Sequence, residues 1–72
     1  MNDNGIRIEV NSYSNEVRGF LGRLEVMSMN RRIQGEWMVG SSSCLPTDPA
    51  RAKLYLDCMC RVFATVGELG AP

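Results

Sequence analysis

Apolar and polar residues alternate with a period of two in three stretches of the chain, and a fourth stretch repeats near 3.6. Ile6, Ile8 and Val10 alternate with Arg7, Glu9 and Asn11 behind Gly5. That is the pattern of a half-buried strand over residues 5–11. Residues 2–4 are polar, and residues 11–16 (NSYSNE) are rich in turn formers, so a loop is expected to follow. The alternation then resumes over 18–28, with Phe20, Leu24 and Val26 on one parity together with Gly22, and Arg23, Glu25 and Met27 on the other. Gly19 and Gly22 weaken this second strand and mark a bulge or bend. Residues 29–32 (MNRR) read as a hairpin turn, with Asn30 suited to a positive φ. A third strand is expected over 33–39, where Ile33, Gly35, Trp37 and Val39 alternate with Gln34, Glu36 and Met38.

A turn at Asn30-Arg31 would pair Leu24 with Trp37 and Val26 with Gly35, but it sets Glu25 against Glu36. A two-residue slide sets Arg23 against Glu36 instead. Both registers keep the apolar faces together, so both stand.

Residues 40–48 (GSSSCLPTD) have loop composition. Asp48-Pro49 then carries the two marks of a helix start: a side chain able to accept from free backbone N–H groups, and a proline at the first helical position. Ala52, Tyr55, Leu56, Met59, Val62, Phe63 and Val66 follow at helical spacing on one face. Lys53–Asp57 and Asp57–Arg61 are i,i+4 pairs of opposite charge on the other. Gly67 or Gly70 offers a C-terminal cap, which places the helix over about 49–67. The expected fold is a single α+β domain over 1–72, in β-β-β-α order, with one helix packed across a three-stranded antiparallel sheet.

At 72 residues, such a domain buries only about 60 % of its unfolded surface, and self-association is an ordinary remedy for a small core. Apolar residues make up 44 % and charged residues 22 % of the chain, a globular composition. Eight basic residues balance eight acidic ones. Bulk charge therefore does not point to nucleic acid or a membrane surface. No apolar run is long enough to span a bilayer, and the first ten residues lack the apolar core of a signal peptide. Three cysteines cannot complete an intrachain disulfide framework, so reduced thiols and a cytoplasmic setting are expected.

The run LYLDCMCRVF holds two of those cysteines. Two positions apart on a helix is about 200° of rotation, so Cys58 and Cys60 cannot grip one ion from this segment. They are expected on the two shoulders of the apolar face, as small buried or half-buried apolar residues. Cys44 lies in the loop, and the chain has no histidine to complete a zinc set. No metal and no cofactor is expected.

Without histidine there is no Ser–His or Cys–His nucleophile pair, and nothing in the sequence activates Ser41, Ser42, Ser43 or Cys44. No phosphate-cradling loop is present. A catalytic role is not expected. The leading expectation is a protein–protein interaction module, homodimeric, that binds and masks a surface of a partner. Its contacts are expected from Met27 and Met38 on the uncovered sheet face and from Leu54 and Cys58 beside the helix stripe. Small domains of this kind are frequent among phage and mobile-element accessory proteins, including inhibitors of host systems. That is a base rate and no residue carries it. The alternative is a nucleic-acid-binding protein in which Arg31 and Arg32 at a hairpin tip, with Arg18 and Arg23, contact phosphates, and Trp37 or Tyr13 stacks on bases.

Overall fold

The computed structural model describes residues 5–69. It contains four strands and one helix: β1 (Ile6–Asn11), β2 (Glu16–Leu21), β3 (Leu24–Arg31), β4 (Trp37–Ser42) and α1 (Pro49–Glu68). The strands form one antiparallel meander in the order β1-β2-β3-β4. The α+β class and the single C-terminal helix packed on an antiparallel sheet are as the sequence indicates. The strand count is four rather than three.

The extra strand arises because the alternating run over 18–28 is a hairpin. Leu21 pairs with Leu24, and Gly22-Arg23 forms the two-residue turn. Gly22 has φ +60° while Arg23 has no positive φ, the backbone of a type II′ hairpin that glycine alone adopts without strain. Residues 29–31 of the expected turn are strand instead. β3 runs through to Arg31, which pairs with Trp37, and the reversal falls in residues 32–36, where Gly35 N donates to Arg32 O. Neither of the two expected registers is formed: Met29 pairs with Val39 and Ser28 with Ser41.

Two bulges redirect β3 and β4. Gly19 pairs with Met27 and Phe20 with Glu25, so Val26 is the extra residue. Val26 and Met27 therefore both reach the helix side, and both are buried. On β4, Gly40 is the extra residue between Val39 and Ser41.

The helix begins as its sequence dictates. Asp48 is the N-cap, accepting from Ala50 N at 3.2 Å, and Pro49 is the first helical residue. It ends at Glu68, with Leu69 N donating to Thr65 O. Gly67 is helical and not a cap, and Gly70 lies outside the described residues, as do residues 2–4. Lys53 and Asp57 are paired at 3.1 Å.

α1 lies over β1, β2 and β3. Its buried positions are Tyr55, Cys58 and Val62. Tyr55 and Cys58 pack with Ile6 and Val26, while Val62 packs with Val17, Met27 and Met29, and Ile8 and Met59 join both groups. This differs from the expected stripe. Leu56 and Phe63, read as core, are 47 % and 52 % exposed, and Cys58 takes the inward position. The cause is Gly19. A β-carbon there would stand 2.5 Å from Val62 Cγ2 and 2.8 Å from Cys58 Sγ, so its absence opens the slot into which the two smaller helix residues settle. Trp37 packs against the Val17–Met29–Val62 group, as its parity implies.

Candidate partner-binding surfaces

The face of the sheet away from the helix is a lattice of paired polar groups. Arg7 Nε meets Glu9 Oε2 at 3.0 Å, and the Arg7 guanidinium carbon stands 4.5 Å from the centroid of the Phe20 ring. Phe20 was expected in the core. The Gly22 turn and the Val26 bulge break the parity on which that expectation rests, and Phe20 lies opposite Arg7 on the open face. On β2, Arg18 sits between Glu16 at 3.0 Å and Glu25 at 3.6 Å. The hydrogen bond and charge of Glu16 raise the Arg18 pKa above its ordinary value. Ser41 donates to Glu25 at 2.8 Å and shares a 3.0 Å contact with Ser28. Asn30, with its amide nitrogen turned toward them, donates to Met29 O and Glu16 Oε2.

The four residues expected to contact a partner separate into two pairs. Met27 and Cys58 are core. Met27 is carried inward by the Val26 bulge, and Cys58 is fully buried over Gly19, with its Sγ 3.7 Å from Phe20 O. Burial pushes the Cys58 thiol pKa up, and the charge of Arg61 acts against that shift. Neither residue offers surface to a partner. Met38 is exposed on the open face opposite Asn30, and Leu54 is half-buried beside Leu21, Leu24 and Arg51.

Ile33, expected on a strand, is fully exposed in the 32–36 loop, and further exposed apolar residues lie on the helix side. Leu56 and Phe63 are seven residues apart on α1 with half-buried Met59 between them, so they form one stripe. Val39 is exposed on β4, in register with inward-facing Met29 and thus on the same side of the sheet. Wheel position alone does not tell the inner edge of a broad stripe from its outer edge. The small size of Cys58 and Val62 is visible in the sequence, but their approach to Gly19 is not.

The four arginines do not share a surface. Arg18 is held by two carboxylates on the open face. Arg23 lies in the β2–β3 turn, at the end of β3 opposite Arg31 and Arg32. Arg31 is half-buried and its Nε donates to Gly35 O at 3.2 Å, while Arg32 is exposed at the start of the loop. A shallow concavity there is lined by Arg31, Arg32, Ile33, Gln34 and Glu36, a set with no nucleophile. Tyr13 is fully exposed in the loop joining β1 to β2.

The thiols are free: Cys44 and Cys60 are exposed and Cys58 is buried. Cys60 is therefore not the half-buried residue expected. Among the described residues no three His, Cys, Asp or Glu side chains gather where they could hold a metal ion, and no helix is long and apolar enough to cross a membrane. No protein-family model, curated protein or solved structure matches the chain. Any functional reading must therefore come from its own residues.

Proposed function

We propose that the chain is a non-catalytic protein–protein interaction module, homodimeric, that acts by occupying and masking a surface of a partner protein. The observation that carries the reading is the contrast between the two faces. Charged groups of the sheet's open face are largely satisfied by one another, while Leu56 and Phe63 stand half in water on the helix with Val39 exposed on the same side. An exposed apolar stripe such as Leu56 and Phe63 form, rather than a set of paired charges, is the usual mark of a protein interface. Leu54, on the opposite shoulder of the helix, and Met38, on the open face of the sheet, remain as separate surface contacts.

The test is affinity capture with the wild-type chain and with Leu56→Asp/Phe63→Asp, each checked for its fold by circular dichroism. The expected result is a protein partner retained in high salt by the wild type and lost by the folded variant. Equal recovery by the two chains, or no protein recovered by either, would overturn the reading.

A further inference from the structure

Among the described residues, β1 is an edge strand with β2 as its only neighbour in the sheet. Its ladder with β2 runs from Ile6–Leu21 to Asn11–Glu16 with no register shift, whereas β3 and β4 carry the bulges. Exposed edges are usually blunted by a bulge, a proline or charged side chains; β1 has no bulge or proline, and its two charges, Arg7 and Glu9, are opposite in sign. The phase of its free backbone groups follows from one hydrogen bond. Gly22 N donates to Gly5 O at 3.0 Å, so Gly5 and Gly22 are a hydrogen-bonded pair of the antiparallel ladder. Alternation then turns the N–H and C=O groups of Ile6, Ile8 and Val10 away from β2, toward the open edge.

We infer that a second copy of the chain pairs with this edge, β1 against β1, antiparallel and centred on Ile8. In that register Ile8 faces Ile8 of the second copy, Ile6 faces Val10, and Arg7 faces Glu9. The residues with outward backbone groups meet as hydrogen-bonded pairs. Arg7 and Glu9 then occupy the intervening non-hydrogen-bonded pairs, where opposed side chains lie closest. The pattern apolar–basic–apolar–acidic–apolar is thus its own complement. A two-residue shift in either direction sets Arg7 against Arg7 or Glu9 against Glu9, and a one-residue shift exchanges the faces. Both side chains are half exposed at the edge. Val10, 49 % exposed on the helix side, gains an apolar neighbour. The two-fold axis is perpendicular to the sheet, so the paired sheets are continuous and both helices lie on one face. The inference rests on the homodimeric reading above and leaves the Leu56–Phe63 stripe to the partner.

Sedimentation equilibrium over a range of concentrations tests it, using the whole chain and the variants Arg7→Glu and Glu9→Arg. Each variant sets like charges against each other at both ends of its own two-fold, so each is expected to raise the dimer dissociation constant about tenfold or more. An equal mixture of the two brings an acidic edge against a basic one, and dimer affinity is expected to return as a mixed dimer. If a single variant does not fold, Arg7→Glu/Glu9→Arg replaces it. This double variant is expected to dimerise as the wild type does and to form no mixed dimer with it. Variants that dimerise as tightly as the wild type would overturn the edge pairing while leaving a homodimer through another surface. A wild-type chain that stays monomeric would overturn the pairing and the homodimer together, and the capture experiment would then decide the partner reading separately.

Discussion

Gly19 of β2 passes so close beneath Val62 of α1 that a β-carbon on the glycine would lie 2.5 Å from Val62 Cγ2. Cys58 Sγ closes the other side of the same slot at 2.8 Å, and both helix side chains are fully buried. Neither neighbour is the free end of a flexible chain, so the contact cannot be relieved locally. Gly19→Ala is expected to destabilise the domain by about 1–3 kcal/mol through overpacking. Urea denaturation checks this. Val62→Ala should recover part of the loss in the double variant, because it vacates the space that the new methyl needs. Strictly additive losses would mean that the helix does not rest on Gly19.

Burial of Cys58 links stability to alkaline pH. Loss of solvent raises its thiol pKa above the ordinary value in the folded chain. Its contribution is therefore complete below the pKa of the unfolded thiol and is lost as pH rises from there toward the folded value. Denaturation midpoints should fall as pH rises above about 8.5. Cys58→Ala, which loses about 1 kcal/mol at neutral pH from the smaller side chain, should show a shallower fall. In native protein a thiol reagent should modify Cys44 and Cys60 quickly and reach Cys58 only on unfolding. Rapid modification of all three would contradict the buried position of Cys58.

How far the sequence revealed this fold can be traced to particular residues. Asp48-Pro49 and the helical spacing behind it mark a real helix start, because capping and propensity are local. β1 shows itself for the same reason: six residues of unbroken alternation end at a loop held by an Asx turn, with Tyr13 N donating to Asn11 Oδ1. β2 and β3 read as one strand in the sequence because Gly22 sits in an alternating run without the Asn-Gly or Asp-Gly signature of the commoner hairpin turn. Parity alone puts Met27 on the open face, because no sequence signal marks Val26 as a bulge. These two local irregularities displaced Phe20 outward and Met27 inward, and with them half of the surface residues assigned from parity. The helix stripe was found, but its rotation depends on Gly19, a residue some forty positions away. That part of the candidate site is tertiary information.

The Gly22 turn makes a further prediction. A β-carbon at this position would have nothing within 4 Å, so substitution is opposed only by its φ of +60°. Gly22→Ala is expected to cost about 1–2 kcal/mol, the ordinary penalty of a left-handed conformation for a residue with a side chain. Gly22→Asn should lose about as much, since asparagine's tolerance is for the left-handed α region and not for the first central position of a type II′ turn. Chemical denaturation of both variants checks this. Equal stability of wild type and Gly22→Ala would show that residues 21–24 do not form this turn.

The arginines allow the protein-binding and nucleic-acid readings to be separated directly. Arg18 is enclosed by Glu16 and Glu25, Arg23 is at the far end of β3, and Arg31 donates to its own loop, which leaves Arg32 as the arginine best placed to meet a phosphate at the 32–36 loop. One or two phosphate contacts give weak binding with a shallow dependence on salt, because each neutralised phosphate adds about one unit to the slope of log affinity against log salt concentration. Titration of the chain into a fluorescent oligonucleotide at low and moderate salt is therefore expected to show only weak binding, if any, and Arg31→Ala/Arg32→Ala should leave capture of a protein partner unchanged. Tight oligonucleotide binding with a steep salt slope, abolished by the double substitution, would make the loop a nucleic-acid contact and displace the helix stripe as the principal surface.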